Sequence, residues 1–356
     1  MSNPPQARGW KTFALRAGAS IAILALLLAL LPRDRVWAAM RSVPPALWLA
    51  VLAGYMAAHV IGVIKYRTMV NLAGAGFGYS QAAQCYFGGL FGTLFLPSIV
   101  GGDLVRAGLG LRMARHRTGF LLGSLLDRML DITALALVAG VGALLLPGHL
   151  EPRSRRVFAG LLLFATLAAG AAFTVAMLLP VRRIPYKIRR RLTRLRQAAR
   201  SMLRSPLTVL LSLLGGVVVQ SSFATLTARL ATACGLDLGL PLWWMAWPLA
   251  KISALIPLTQ GGLGVREAAL AALLAPFGAP AAVTVAVGIL WETIMISGGL
   301  LSGLVAVVAG RITARAAEQP GAVSRPGPAS SIDSLATELE TSAVPAMMEN
   351  QPAQRR

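Results

Sequence analysis

Charged side chains inside otherwise apolar segments are the residues of this sequence best suited to chemistry. Nine such groups stand out: Asp103, Asp127, Asp131, Glu267, Glu292, Arg106, Arg128, Arg266 and Lys251. A charge near the centre of a bilayer costs roughly 2.5–3.5 kcal/mol on insertion scales, so each group should pair or face a polar cavity. Paired charges would form structural ion networks, whereas charges facing a cavity would bind a charged substrate or couple its movement to a conformational change.

Two of these charges, Arg106 and Arg266, belong to a ten-residue sequence motif that occurs twice and is called the repeated phrase below. Residues 97–106, PSIVGGDLVR, reappear 160 positions later as residues 257–266, PLTQGGLGVR. A proline followed by two glycines is unusual in a plain spanning helix, so we expect a break in each copy. We expect a helix to restart at about Asp103 in the first copy and at about Leu263 in the second.

The arginine of each copy would then lie in the first turn of a buried half-helix. A helix N-terminus offers free N–H groups and partial positive charge, so Arg106 and Arg266 with these termini predict a site for a phosphate or another anion. Two alternatives stay open, namely that Arg106 extends to the cytoplasmic interface and that Arg266 forms a structural ion pair with Glu292. Glu267 either compensates the helix dipole, contacts a cationic headgroup or takes part in a proton-coupled step.

The remaining membrane charges suggest a second network. Asp127, Arg128 and Asp131 are three and four residues apart, so they can share one helix face. When the halves are aligned, Arg128 corresponds to Glu292 with the opposite charge, which predicts a salt network between the halves, either structural or functional. Lys251 is either a headgroup contact or a lysine that extends to the interface.

The elements that must position these groups are apolar helices. The sequence is 56% hydrophobic and 13% charged, against about 25% charged residues in soluble domains. Six runs are long enough to span a bilayer, approximately 14–32, 46–64, 119–147, 157–180, 207–228 and 281–310. Two further regions, 81–105 and 241–276, contain the repeated phrase and are predicted to be re-entrant hairpins.

Basic loops orient the chain. The loop 181–206 carries ten Arg or Lys residues and no acid, which predicts a cytoplasmic position. The N-terminus and the loops 65–80 and 106–118 are basic too and are expected on the same side. Hairpin 81–105 would therefore enter from inside and hairpin 241–276 from outside.

The predicted fold is an all-α polytopic membrane protein with six spanning helices and two re-entrant helical hairpins in two inverted repeats. It divides into a cytoplasmic N-terminus, a first half, a second half and a disordered cytoplasmic tail: 1–13, 14–147, 157–312 and 316–356. Inverted repeats are typical of transporters, whose substrate site lies near the midplane where the halves meet.

Several function classes are disfavoured. A net charge of +21 would favour nucleic-acid binding in a soluble protein, but here the basic residues cluster in loops, where they favour anionic lipid headgroups. We therefore expect membrane lipids, and no nucleic acid, as partners. Cys85 and Cys234 give neither a disulfide framework nor metal-ligand spacing, and the three histidines are scattered. No catalytic residue, metal site or cofactor is predicted.

Three phrases, in residues 96–106, 125–131 and 257–268, together resemble the lysylphosphatidylglycerol synthase transmembrane-region family, also described as flippase-like membrane proteins. The G-G-x-G-x-R-E-A phrase at 261–268 is the most specific element. The resemblance implies an integral protein of a bacterial-type inner membrane. It also implies a region that, in multiple-peptide-resistance factors, moves aminoacylated phosphatidylglycerol between leaflets.

The sequence departs from the family pattern in places. Those factors carry a soluble aminoacyltransferase domain, for which residues 316–356 are too short and too polar, so synthase activity is not expected. Many relatives have a single glycine where this chain has Gly101 and Gly102, and a Tyr-Arg pair where it has Trp291 and Glu292.

The sequence predicts a lipid translocase that moves or binds a phosphate-bearing lipid, with both termini in the cytoplasm. The expected substrate-binding residues are Arg106, Arg266, Gly101, Gly102, Gly261, Gly262, Glu267 and Lys251. The expected gating or coupling residues are Asp103, Asp127, Arg128, Asp131 and Glu292. Two alternatives remain: a membrane-embedded headgroup transferase and a non-catalytic membrane partner of a lipid-modifying glycosyltransferase. The oligomeric state, including a homo-oligomer, stays open.

Overall fold

The computed structural model describes residues 31–96, 99–146, 204–253 and 264–318, together with the single residues Ala25 and Ala29. Every regular element in these ranges is helical. The α-helices are α1 Arg33–Arg41, α2 Pro45–Leu72, α3 Tyr79–Phe95, α4 Ile99–Met113, α5 Arg117–Leu144, α6 Pro206–Ala233, α7 Leu240–Ser253, α8 Val265–Leu274 and α9 Ala281–Glu318, and a 3₁₀ turn Ala275–Phe277 follows α8. Compact units cover Met1–Arg311 and Ile312–Arg356, and all contacts below lie within the first.

Three helices among the described residues are long and apolar enough to cross a membrane: α2, α6 and α9 as far as Arg315. Helix α5 has 28 residues, which is also long enough, but it carries Asp127, Arg128 and Asp131. The chain is therefore an all-helical membrane protein. The predicted spans 14–32 and 157–180 lie outside the described residues.

Helix α2 corrects one boundary. The sequence assigned Lys65 to a cytoplasmic loop after a helix that ends at residue 64, and this assignment was wrong. The helix continues to Leu72, and Lys65 is buried with 5% of its surface exposed. Local hydropathy falls at a lysine, so the apolar run was ended there. A lysine whose charge is compensated by carboxylates on a neighbouring helix can nevertheless be buried within a membrane helix.

Helices α2 and α6 are matched in detail. Each has 28 residues and a proline at its first position. Each is followed by a glycine with positive φ, Gly74 and Gly235, in the turn that terminates the helix. Pro45 and Pro206 are 161 positions apart, and so are the two glycines. The same start and end signals in the sequence therefore produce a helix of the same length in each half.

The contacts between α2 and α6 show that the two helices are antiparallel and related by an approximate two-fold axis. A Cβ atom added to Gly54 would lie 3.0 Å from Leu226, and one added to Gly215 would lie 4.0 Å from Lys65. A shift of 161 positions converts the first contact into the second. A pair of helices whose contacts exchange in this way has opposite chain directions.

Two helical hairpins follow these helices, and glycines set the packing of the first. Helix α4 begins at Ile99, four residues before the predicted restart at Asp103, so Gly101 and Gly102 lie inside the helix. A Cβ atom at residue 102 would lie 2.3 Å from Thr93 Cγ2 and 2.6 Å from the carbonyl oxygen of Gly89. The glycine pair therefore lets α3 and α4 approach closely and does not break the helix.

Each hairpin packs against the last helix of the other half. Gly299 and Gly303 of α9 face Leu94 and Phe91 of α3. Gly142 of α5 lies against the backbone of α7 in the second hairpin. Because each hairpin contacts a helix of the other half, the charged segments of both halves lie in one helical bundle.

The core beside these contacts is aromatic. Trp291 packs edge-on against Tyr55 and Trp247, and Phe223 contacts all three rings. Trp291 is 2% exposed and Trp247 is 3% exposed. These rings join α2, α6, α7 and α9, so the interface between the halves is a packed layer that holds the charged groups beside it in place.

Candidate functional site

The first-half cluster consists of six charged residues from α2, α4 and α5: Lys65, Asp103, Arg106, Asp127, Arg128 and Asp131. At its centre, Lys65 Nζ donates to Asp127 Oδ1 at 2.6 Å and to Asp131 Oδ1 at 2.7 Å. The two carboxylates are one helical turn apart on α5, so one ammonium from α2 can bridge them. This bridge joins α2 and α5, each of which has 28 residues.

The outer part of the cluster is more accessible. Arg128 Nε donates to Asp103 Oδ1 at 2.9 Å, and Arg128 Nη1 lies 3.6 Å from Asp131 Oδ2. The side chains of Arg128 and Asp103 are 37% and 34% exposed. Their pair connects the hairpin helix α4 to α5 at the exposed side of the cluster.

Arg106 lies at the inner edge of the cluster. It is 7% exposed, and its Cζ lies 4.7 Å from the ring of Tyr66 and 4.5 Å from that of Tyr86. This burial argues against the alternative in which Arg106 extends to the interface. Arg106 is the eighth residue of α4. The sequence predicted that it would lie in the first turn of this helix, and that prediction was wrong.

The Arg106 guanidinium has few polar partners. Its nearest carboxylate is Asp127, with Nη1 and Oδ2 3.7 Å apart, which is beyond hydrogen-bond distance. Arg106 Nε and Asp127 Oδ2 are both buried without a hydrogen-bond partner in the described part of the chain. Buried donors and acceptors normally have hydrogen-bond partners, so the Arg106 Nε donor and the Asp127 Oδ2 acceptor are available to bind a further polar group.

The second-half cluster consists of Arg266, Glu267 and Glu292. Arg266 Nη2 donates to Glu267 Oε1 at 2.6 Å and to Glu292 Oε2 at 2.7 Å. Glu267 Oε2 also accepts from the Gly264 N–H at 2.7 Å, which caps the start of α8. Arg266 therefore has the structural partner that the sequence offered as an alternative, and Glu267 has the helix-capping role.

The start of α8 agrees with the sequence more closely than the start of α4 does. The helix begins at Val265, two residues after the predicted restart, and Arg266 lies in its first turn. Gly264 has a φ of 84°, a left-handed conformation that favours glycine. Gly261 and Gly262 lie outside the described residues.

Lys251 lies between the two clusters, near the end of α7. Its Nζ donates to Gln220 Oε1 at 2.9 Å and lies 5.3 Å and 5.0 Å from the rings of Phe223 and Trp247. Asp131 and Arg266 are close enough to interact with it electrostatically. Among the described residues, no carboxylate lies within ion-pair distance of this ammonium.

The ion pairs do not follow the pattern that the sequence predicted. The expected salt network between Arg128, Glu292, Arg106 and Arg266 is absent from the described residues, where every ion pair joins residues of the same half. The first-half cluster contains three cations and three carboxylates, whereas the second-half cluster contains one arginine and two glutamates. Lys251 adds a cation beside both clusters, and its favourable electrostatic interaction is with Asp131 of the first half.

Sequence reasoning missed several residues of this region. Lys65 was assigned to a loop, and Tyr66, Tyr86 and Gln220 carry no charge that would draw attention inside an apolar segment. His59 was set aside as isolated, yet its Nδ1 lies 3.1 Å from the Tyr86 hydroxyl group. The available signal was that Lys65 directly follows the apolar run 46–64, which the helix continues.

Comparison with known proteins identifies the family. A comparison with curated proteins found no match. The family model described as the lysylphosphatidylglycerol synthase TM region matches residues 16–303, which is most of the chain and contains both clusters. With its helices of membrane-spanning length, its buried charges and this match, the chain belongs to the lysylphosphatidylglycerol synthase TM region family.

Proposed function

We propose that this protein is a flippase-like translocase that moves a phosphate-bearing lipid between the leaflets of the membrane, and that it does not alter the lipid chemically. Its proposed topology is six spanning helices and two re-entrant hairpins in two inverted halves, in a bacterial-type inner membrane with both termini in the cytoplasm. The antiparallel, two-fold relation of α2 and α6 supports the inverted halves.

The proposal depends on one observation: the buried Arg106 guanidinium lacks a hydrogen-bond partner for its Nε donor within the described part of the chain. A guanidinium has five N–H donors in a planar fork that matches a phosphate. In the interior of this bundle, the Arg106 guanidinium lies against two adjacent tyrosine rings, Tyr66 and Tyr86, and its Nε has no hydrogen-bond partner among the described residues. A lipid phosphate would satisfy these donors and balance the charge that Asp127 compensates only from 3.7 Å.

Lys251 supplies a second cation for the same headgroup. It comes from the hairpin of the other half, and its only hydrogen-bond partner in the described residues is the Gln220 side chain. A phosphate that passes from Arg106 to Lys251 would move from one half to the other.

The test is the movement of a labelled lipid in proteoliposomes that contain the full chain. The probe is a fluorescent phosphatidylglycerol whose headgroup accessibility to a membrane-impermeant quencher is followed over time. Arg106→Gln removes the charge but keeps an amide, and we expect the rate of movement to fall about tenfold or more, as for loss of a charge-assisted hydrogen bond. Arg112→Gln is the matched control, because Arg112 is an exposed arginine of the same helix.

An unchanged rate in folded Arg106→Gln protein would refute the assignment of Arg106. No movement by the wild-type protein above protein-free vesicles would refute lipid translocation for this probe. Recovery of a chemically altered lipid would favour the headgroup transferase. Co-purification of a stoichiometric lipid-modifying enzyme would favour a role as its membrane partner.

A further inference from the structure

An apolar cavity lies at the edge of the bundle, away from the two charge clusters. It measures about 410 Å³ and is lined by Met40, Val43, Pro45, Trp48, Leu49 and Leu290, from α1, α2, α9 and the link between α1 and α2. Leu49 is 59% exposed, so the cavity opens to the protein surface. The surface around it belongs to α2 and α9, two of the helices that are long and apolar enough to cross a membrane.

The side chains that line the cavity are almost entirely apolar. The nitrogen or oxygen atom among these side chains is the Trp48 indole nitrogen, which already donates to Thr293 Oγ1 at 2.9 Å. The Thr293 hydroxyl in turn donates to the Leu290 carbonyl oxygen at 2.7 Å. Cavities lined only by apolar atoms stay dry, so one that opens on a lipid-facing surface is suited to hydrocarbon.

A basic and aromatic face adjoins the cavity. Helix α1 places Arg33, Trp37 and Arg41 at intervals of four residues, and all three are exposed. Arg41 directly follows the cavity residue Met40, and its Cζ lies 4.8 Å from the Trp37 ring. Tryptophan and arginine beside an apolar surface are the groups that position a lipid headgroup at a membrane interface.

We propose that this cavity and α1 together bind one phospholipid, with an acyl chain in the cavity and the phosphate at Arg41 and Arg33. Arginine binds phosphate bidentately, so the charge complementarity is direct. The proposal rests on the proposed function, to which it adds the place where lipid is loaded.

Helix α9 connects the cavity to the second-half cluster. Trp48 donates to Thr293, and the residue before Thr293 is Glu292, which holds Arg266. A lipid in the cavity would therefore lie against the helix segment that also carries Glu292.

Photocrosslinking can test the site without any transport measurement. The full chain is reconstituted in phosphatidylcholine vesicles that contain phosphatidylglycerol with a photoreactive acyl chain, and labelled peptides are mapped by mass spectrometry. We expect the wild-type label to concentrate in residues 40–49 and around Leu290. Val43→Trp should fill the cavity and reduce this label about tenfold, whereas Leu304→Trp, a change at an exposed apolar position of α9, should not.

The headgroup part is tested by Arg33→Gln with Arg41→Gln, which leaves the cavity intact. We expect the label to fall about tenfold, as for loss of charge-assisted hydrogen bonds, and to persist in Arg112→Gln. Equal labelling of wild-type and Val43→Trp proteins that elute alike in size-exclusion chromatography would overturn the proposal. Uniform labelling of all exposed apolar faces would also overturn it, because that result indicates annular lipid only.

The outcomes separate this site from the translocase proposal. Loss of concentrated labelling with normal lipid movement would remove only the loading site. Concentrated labelling without lipid movement would leave a lipid-binding site on a protein that does not translocate this probe.

Discussion

The two halves of this protein have matched helices but differ in how they use buried charge. In the first half a lysine bridges two aspartates, and Arg106 remains with unused donors. In the second half Arg266 is held by two glutamates, one of which also caps a helix. The comparison indicates that the second-half cluster is mainly structural, whereas the first-half cluster combines a structural centre at Lys65 with a polar edge that is free to bind.

The same asymmetry is visible at equivalent positions. A shift of 161 residues takes Lys65 to Leu226, and it takes Leu90 to Lys251. Among the described residues, the first half therefore has a buried lysine on α2, and the second half has a partly buried lysine on the hairpin helix α7. Duplicated backbones have thus kept their packing while their charged side chains have diverged.

The largest expected effect comes from removal of the lysine bridge. Lys65→Leu would leave Asp127 and Asp131 buried without their main counter-charge, and we expect the free energy of unfolding to fall by about 3–5 kcal/mol. Thermal unfolding in detergent would measure the loss. Ile64→Ala, at an exposed position beside it, is the control, with an expected change within about 0.5 kcal/mol.

A compensated variant sharpens this first prediction. Lys65→Leu combined with Asp127→Asn and Asp131→Asn removes both carboxylate charges, so most of the lost stability should return. If Lys65→Leu alone were as stable as the wild-type protein, Lys65 would not be the structural centre of the first half.

An intermediate effect is expected from the glycine pair, which lies inside a helix in the first half. Gly102→Ala would place a Cβ atom 2.6 Å from the Gly89 carbonyl oxygen, and overpacking of this kind costs about 1–3 kcal/mol. Gly108→Ala is the matched control in the same helix, because a Cβ atom there meets nothing within 4 Å. That change should stabilise the helix by about 0.5–1 kcal/mol.

The readout for this pair is again thermal unfolding. Equal stability of the Gly102→Ala and Gly108→Ala variants would show that the stability of the hairpin does not depend on the close approach of α3 and α4.

The smallest effect is expected in the second half. Glu292→Gln keeps an acceptor for Arg266, which also retains Glu267, so the free energy of unfolding should fall by only about 1 kcal/mol. Lipid movement per folded molecule should be nearly unchanged, in contrast to Arg106→Gln. A loss of lipid movement as large as that of Arg106→Gln would contradict the assignment of a structural role to the second-half cluster.

Several features of the fold were accessible from the sequence because they depend on local signals. The apolar runs 46–64 and 207–228 predicted the starts of α2 and α6 to within one residue, although the two helices end eight and five residues later than predicted. The repeated phrase located both hairpins, and Arg266 was given its partner Glu292 as one alternative. The start of α4 was predicted incorrectly because a pair of glycines occurs both at helix breaks and at close contacts between helices. The local sequence does not distinguish these two cases.

The sequence by itself determined that this is an apolar, all-helical membrane chain with charges in two related places, since composition and periodicity are properties of the chain alone. Only the tertiary structure decided which charges compensate one another. Lys65 is 62 residues from Asp127 along the chain, and the two meet because α2 and α5 pack side by side. The electrostatic energy of a buried charge depends on its distance to partners in space, and no local pattern in the sequence contains that distance.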